Sequence, residues 1–328
     1  MKIFKDQYIV VTGGAGFIGS CVVKQLNTMG FSNIVIVDQL GTDEKWKNLV
    51  GKQFEELVPI DQLFTWLKDR ESEIEAFIHL GANSSTVEKD ADKLFLNNTQ
   101  FSIRLAEYAL DNDHRFIYAS SAATYGDGSK GFSDEHEELE QLEPLNMYGF
   151  SKHLFDLWLK RQKALDKVVG LKYFNVFGPN EWHKGRMASA ILHLLPQIEK
   201  TGKIKLFKSS DPEHFEDGGQ MRDFIYVKDA ARITSEFLQN DACGIFNVGT
   251  GEANTWNDLA KAVFKGVDKQ EKIEYIDMPE DLQGKYQNYT SAETEKLREV
   301  FKGEFKVTPF EDAVVDYVRN HLVPHRYW

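Results

Sequence analysis

One stretch near the amino end constrains the fold more than any other. Tyr8-Ile9-Val10-Val11 is a continuous apolar run, the pattern of a strand buried on both faces. It passes directly into Thr12-Gly13-Gly14-Ala15-Gly16-Phe17-Ile18-Gly19. A helical spacing then runs through Val22, Val23 and Leu26 to a stop at Gly30, and Ile34-Val35-Ile36-Val37 reads as a second buried strand that ends in Asp38. Gly14, Gly16 and Gly19 meet the dinucleotide-binding spacing, and Gly13, Gly16 and Gly19 meet its wider variant. Glycines at these places permit a tight turn, close approach of backbone to a pyrophosphate, and close packing of helix on strand. The helix start adds N–H donors and a favourable dipole. Gly13, Gly16, Phe17, Ile18 and Gly19 are therefore candidate cofactor contacts, with Asp38 and Gln39 placed for the adenosine ribose.

The alternation of strand and helix continues. Ala76 to His79 reads as a strand leaving through Leu80-Gly81-Ala82, where small residues let a dinucleotide pass close to the strand end. A helix is expected over Leu94–Leu110, and Phe116-Ile117-Tyr118-Ala119-Ser120-Ser121 reads as a strand ending in two serines. Val168 to Asn175 is a further strand. The pattern predicts an α/β chain with an open, parallel, doubly wound sheet of Rossmann type. After Gly178-Pro179 the pattern changes to α+β, which predicts a smaller substrate-binding lobe. Residues 1–178 with 225–249 are expected to form the dinucleotide-binding domain, and 179–224 with 250–328 the substrate-binding one. The acidic run from Glu135 to Glu143 reads as a solvated loop.

A formal charge of −12 without a basic stripe argues against nucleic acid and against an anionic membrane surface as partners. No apolar run approaches spanning length, so a cytoplasmic protein is expected. Cys21 and Cys243 form no CxxC pair, and no metal site is expected. Apolar helical faces make a homo-oligomer the expected state.

Tyr148 and Lys152 are four residues apart in a run with helical periodicity (Leu154, Phe155, Leu157, Trp158, Leu159), so they share a helix face. A phenol beside an ammonium can serve as an acid/base unit, because a neighbouring cation favours the phenolate. The spacing alone equally suits an ordinary surface pair. Ser120 and Ser121 sit where ligands bind in such sheets, at a strand's carboxyl end, and could equally be turn formers. Lys184, in the polar loop 181–186, reads by itself as a surface lysine.

Taken together, Thr12 to Gly19, Ser120-Ser121 with Tyr125-Gly126, Tyr148 with Lys152, Tyr173 to Pro179, and Arg222 to Val227 resemble the extended short-chain dehydrogenase/reductase family of epimerases and dehydratases. The segments Tyr118 to Gly126, Pro144-Leu145-Asn146, His183-Lys184-Gly185 with Met187-Ala188-Ser189, and Gly284 to Gln287 are similar to the branch that inverts C6 of an ADP-linked heptose. The resemblance implies a nucleotide-sugar substrate and a transient hydride exchange with a bound nicotinamide. Tyr148 and Lys184 would serve as two bases for the two orientations of the sugar, Lys152 would hold the nicotinamide ribose and, with the oxidised ring, lower the phenol's pKa, and Ser121 would bond the reacting oxygen. Asn98 and Val176 match cofactor contacts. Asn175, His193, Phe207, Ser210, Arg222 and Tyr286 match substrate contacts. Arg186 stands where serine is common, and the 209–223 loop is longer than the pattern. Lys45 matches a lysine of the adenosine-phosphate region, which favours NADP, with Asp38 the feature that keeps NAD as the other candidate. A dehydratase would place an Asp-Glu pair after the serine motif, where this chain has Ala122-Ala123.

Overall fold

The computed structural model describes residues 6–278, 288–303 and 305–328. In chain order the strands are β1 (Tyr8–Thr12), β2 (Ile34–Val37), β3 (Glu56–Val58), β4 (Ile74–His79), β5 (Arg115–Ser121), β6 (Val168–Tyr173), β7 (Asn175–Phe177), β8 (Ile204–Phe207), β9 (Met221–Tyr226), β10 (Gly244–Val248), β11 (Ala253–Thr255) and β12 (Ile273–Ile276). Seven of them form one sheet in the order β10-β6-β5-β4-β1-β2-β3, every pair parallel. The order reverses between β1 and β4. Connections from these two strands leave in opposite directions, which opens a crevice at their carboxyl ends.

The apolar runs fill both faces of this sheet. Ile9, Val11, Ile34, Ile36, Ala76 and Ile78 join one core, where Val22 and Leu26 of helix Phe17–Thr28 meet Ala230 and Ile233 of helix Val227–Glu236. Their neighbours Val10, Val35, Val37 and Phe77 join the other, with Leu105 and Ala109 of helix Phe101–Asp111 and Phe155 and Leu159 of helix Met147–Arg161. This period-two division is why the strands carry no polar face. Each such side chain contributes roughly 1.5–3 kcal/mol on burial.

Two small sheets complete the molecule. β7 pairs parallel with β9, and β11 pairs antiparallel with β9. β8 and β12 form a parallel pair beside helix Ala190–Thr201. β9 thus lies outside the large sheet, while β10, reached through helix Val227–Glu236, returns to it. β3, β7, β8 and β11 have no counterpart in the sequence pattern, being runs of three or four residues with mixed polarity. The expected helix over Leu94–Leu110 is interrupted by a π-helical segment, Phe95–Gln100. There Asn98 and Thr99 turn inward and bond Ser151, so the extra residue per turn brings two polar side chains onto the Tyr148 helix. The acidic run is not wholly solvated: its 3-10 turn His136–Gln141 buries Leu139 completely. The expected turn Gly284-Lys285-Tyr286 lies outside the described residues.

Helix Met147–Arg161 is fixed to the sheet by a buried charge pair. The Asp156 carboxylate accepts from Tyr118 Oη (2.9 Å), Ser120 Oγ (2.7 Å) and Lys172 Nζ (3.0 Å). Both ionic side chains are fully buried. Removing one partner leaves the other charge uncompensated in a low dielectric. Asp156→Ala should therefore lower unfolding stability by about 3–5 kcal/mol, read as a shift of the urea midpoint. A smaller loss is expected for Asp156→Asn, which keeps the shape and one of the two acceptor oxygens.

Candidate active site

The crevice above the large sheet is a cleft of about 930 Å³. Its floor is the turn between β1 and helix Phe17–Thr28. A Cβ added at Gly19 would stand 2.1 Å from Gly13 O, and one at Gly13 would stand 2.7 Å from Gly81 N. The turn and the exit of β4 therefore touch backbone to backbone, and Gly13, with φ +70°, holds a conformation that suits glycine. No side chain stands between these amides and a ligand, so the residues present fit a dinucleotide pyrophosphate. Gly13, Gly16, Phe17, Ile18, Gly19, Asp38, Gln39, Lys45, Leu80, Gly81, Ala82, Lys152 and Val176 all line the cleft.

Asp38, the acid expected at the ribose, lines the cleft and is also bonded within the chain. Its Oδ2 accepts from Ala15 N (2.8 Å), and its Oδ1 accepts from Gln39 N (2.7 Å) and Lys45 Nζ (2.6 Å). It braces the glycine turn, and its charge is paired with a lysine at the cleft edge. Asn98 departs from expectation. It is fully buried, accepts from Asn83 N (2.8 Å) and donates to Asn83 O and Ser151 Oγ, so it shapes the loop after β4, whereas Asn97 lines the cleft.

Ser121, Tyr148, Lys152, Lys184 and Asn175 line the same cleft. Asn146 caps the helix that carries Tyr148 by accepting from Gly149 N (2.8 Å). One turn later Lys152 Nζ donates to Ala119 O (2.8 Å) at the end of β5. Burial pushes the Tyr148 phenol above its ordinary value, and its hydrogen bond with Ser121 opposes this. The lowering that the resemblance implies would come from Lys152 acting with an oxidised nicotinamide ring, and burial acts in the opposite direction. Burial also brings Lys152 down to about 8, against the pull of Asp156.

Lys184 is not the surface lysine that its loop suggests. Burial lowers its pKa, and Glu181 opposes that shift. Its ammonium lies 5.2 Å over the Phe17 ring, at the start of the glycine-turn helix. The loop is fixed from several sides. Asn48 donates to Ala15 O (3.0 Å) and Asn180 O (3.1 Å) and meets His183 Nδ1 (3.3 Å), while Trp182 packs between His325 (4.9 Å) and Tyr327 (4.5 Å). None of Asn48, Asn180, Glu181 or Trp182 stood out in the sequence, since each acts through partners remote in the chain. The available signal was the turn sequence Gly178-Pro179-Asn180, whose asparagine takes a left-handed φ of +77° in the structure.

Other candidates lie elsewhere. Arg186, His193 and Ser210 are exposed, Phe207 is partly buried, and none of the four lines the cleft. Arg222 is buried with its guanidinium 5.9 Å over Trp256, a cleft residue. Tyr286 lies outside the described residues. Among the described residues no cluster of metal-binding side chains occurs, and no helix is long and apolar enough to cross a membrane.

The model of the NAD dependent epimerase/dehydratase family matches residues 9–249. The chain belongs to this family. A nicotinamide cofactor accords with the family's description and with the glycine cradle. Among its curated relatives in the family, a protein of Nitratidesulfovibrio vulgaris strain DP4 is 52% identical over 316 residues, covering 95% of this chain and 97% of its own length. One of Fusobacterium nucleatum is 46% identical over 326 residues, covering 96% and 98%. Both are named ADP-L-glycero-D-manno-heptose-6-epimerase. Among solved structures, the Helicobacter pylori epimerase of the same name superposes with a TM-score of 0.79 at 26% identity, covering 98% of this chain and 96% of that one. A UDP-N-acetylglucosamine 4-epimerase of Methanobrevibacter ruminantium has the same TM-score and identity and covers 98% and 100%.

Two histidines of this family member's site give its stability a pH dependence. Burial and the Lys152 charge bring His79 down to about 3, between Thr12 Oγ1 (2.6 Å) and Ser102 Oγ (2.8 Å). Burial, then Lys45, bring His183 down to about 4. Unfolded histidine binds its proton near ~6.5, so below that pH the unfolded chain takes up protons that the folded one refuses. The contribution is complete above ~6.5 and is lost as pH falls toward 4 and then 3. Urea midpoints between pH 7.5 and 4.5 should fall on acidification, and His79→Asn should flatten the curve.

Proposed function

We propose that the chain inverts C6 of the heptose in ADP-D-glycero-D-manno-heptose, giving the ADP-L-glycero-D-manno isomer. The observation that carries the reading is the placement of Tyr148 and Lys184, on separate elements, in one cleft above the glycine turn. The relatives' shared name supports the substrate. A bound nicotinamide supplies the redox chemistry, taking hydride from C6 and returning it to the opposite face. The two isomers present the C6 hydroxyl from different directions, which one base cannot serve equally well. Tyr148, steadied by Ser121, handles the proton in one orientation, and Lys184 handles it in the other. Burial of Lys184 suits this role, because an amine acts as a base only when its proton is weakly held. Lys152 orients the cofactor ribose from its anchor on Ala119 O. Ala122-Ala123, in the turn after Ser121, offer no acid for water elimination, so a dehydratase is the weaker reading.

Incubation with ADP-D-glycero-D-manno-heptose, followed by NMR at C6, should show conversion to a mixture of isomers. A folded, cofactor-loaded protein that leaves the substrate unchanged would sink the proposal. Tyr148→Phe and Lys184→Met should each cut epimerisation by on the order of 10²–10⁴-fold, while full activity of Lys184→Met would remove the second base.

For the cofactor the reading is NADP. The Asp38 charge that would repel a 2′-phosphate is paired with Lys45, which brings an ammonium to the same edge of the cleft. Lys45→Ala removes that cation and leaves Asp38 unpaired. The dissociation constant should rise about tenfold or more for NADP and change little for NAD, as read by fluorescence titration. Equal effects on both would favour NAD.

A further inference from the structure

The turn that carries Lys184 is closed by a residue to which no role has been attached. Glu181 is fully buried. Its backbone carbonyl accepts from Lys184 N (2.9 Å), one turn on. Its carboxylate reaches past the turn to accept from Ser189 N (2.6 Å) and Ser189 Oγ (2.6 Å), and a third donor, Tyr317 Oη, stands at 2.8 Å. Burial pushes this carboxyl's pKa up, and the three donors that converge on its two oxygens, with the Lys184 charge, oppose that and favour the ionised form.

We propose that Glu181 is the positioning residue of the Lys184 turn: it closes residues 182–188 onto Ser189 and builds a hydrogen-bonded carboxylate into the turn that carries Lys184. The inference rests on Lys184 being a proton carrier, as proposed above. The charged surroundings divide cleanly. Lys45, Asp43 and Asp38, from the elements packed against the turn, act on neighbouring His183, as does Lys184 itself. On Lys184 the opposing influences are burial, which lowers its pKa, and Glu181, which raises it. The Phe17 ring is uncharged and accepts the ammonium through its face. Burial favours the neutral amine, the form that takes a proton, and Glu181 opposes that shift and favours the ammonium, the form that gives one back. A reversible epimerisation uses both forms of each base.

The test reads Lys184 directly. The purified, cofactor-loaded full chain is treated with acetic anhydride across a pH series, and acylation at Lys184 is followed by mass spectrometry. In Glu181→Gln, which keeps the shape and removes the charge, the labelling midpoint should move to lower pH by about half a unit or more, and kcat should fall about tenfold or more. Glu181→Asp keeps the charge, so its midpoint should stay near that of the unmodified protein even where kcat falls. Ser189→Ala keeps the charge and loosens the turn. It should lower kcat and speed amide exchange over residues 182–188 without moving the midpoint, and it serves if Glu181→Gln does not fold. An unchanged midpoint in folded Glu181→Gln, a shift in Glu181→Asp as large as that in Glu181→Gln, or a moved midpoint in Ser189→Ala would overturn the proposal. Full activity in Lys184→Met would instead remove the reading of Lys184 on which it rests, and the labelling midpoints would still show whether the two residues are coupled.

Discussion

Everything at this site depends on one close approach of backbone to backbone. The turn after β1 and the exit of β4 meet at Gly13 and Gly81, and Gly19 comes up against the Gly13 carbonyl. Side chains at these positions would push the first helix off the sheet and fill the crevice. Their lack lets helix Phe17–Thr28 start directly beneath the cleft, with its free N–H groups pointing into it. Asp38 then braces the same turn through Ala15 N, and Asn48 ties Ala15 O to the loop that carries Lys184. The cofactor cradle and the second candidate base are thus parts of one hydrogen-bonded assembly.

Desolvation is the common electrostatic theme. It raises the phenol of Tyr148 and lowers the ammonium groups of Lys152 and Lys184. In each case burial disfavours the charged form, which draws a tyrosine and a lysine toward similar neutral states. Local partners then oppose the shift: Ser121 for Tyr148, Asp156 for Lys152, Glu181 for Lys184. The fold supplies these partners from positions spaced by one helical turn or from strand ends, where geometry is rigid. Asp156 has a second part, since it also locks the Tyr148 helix to β5 and β6 through Tyr118, Ser120 and Lys172.

Several features could be read from the residues because their physics is local. Buried parallel strands need apolar runs, and β1, β2 and the central residues of β4, β5 and β6 are such runs. The glycine turn was legible because its steric demand falls on three or four adjacent residues. Tyr148 and Lys152 were legible as a pair because a helix brings positions four apart onto one face. β7, β8 and β11 were not legible, because three or four residues carry too little periodicity and their pairing is set by remote strands. The orientation of Asp38 was not legible for a related reason. An acid at the end of β2 marks the place, but only the packing of Ala15 and Lys45 decides where the carboxylate turns.

Lys184 shows where local reading ends. Its neighbours Trp182, His183, Gly185 and Arg186 are those of an exposed polar turn. Its ammonium lies over Phe17, and the residues beside it are held by Asn48 and by His325 and Tyr327, which come from three remote parts of the chain. Apolar periodicity and glycine spacing are written along the chain and need no partner to be seen, so they were enough for the sheet, the cradle and the Tyr148 helix. The protonation behaviour of a side chain depends on what is packed around it, and no run of adjacent residues encodes that. The burial of Lys184 and the opposing influence of Glu181 therefore exist only once the chain has closed on itself.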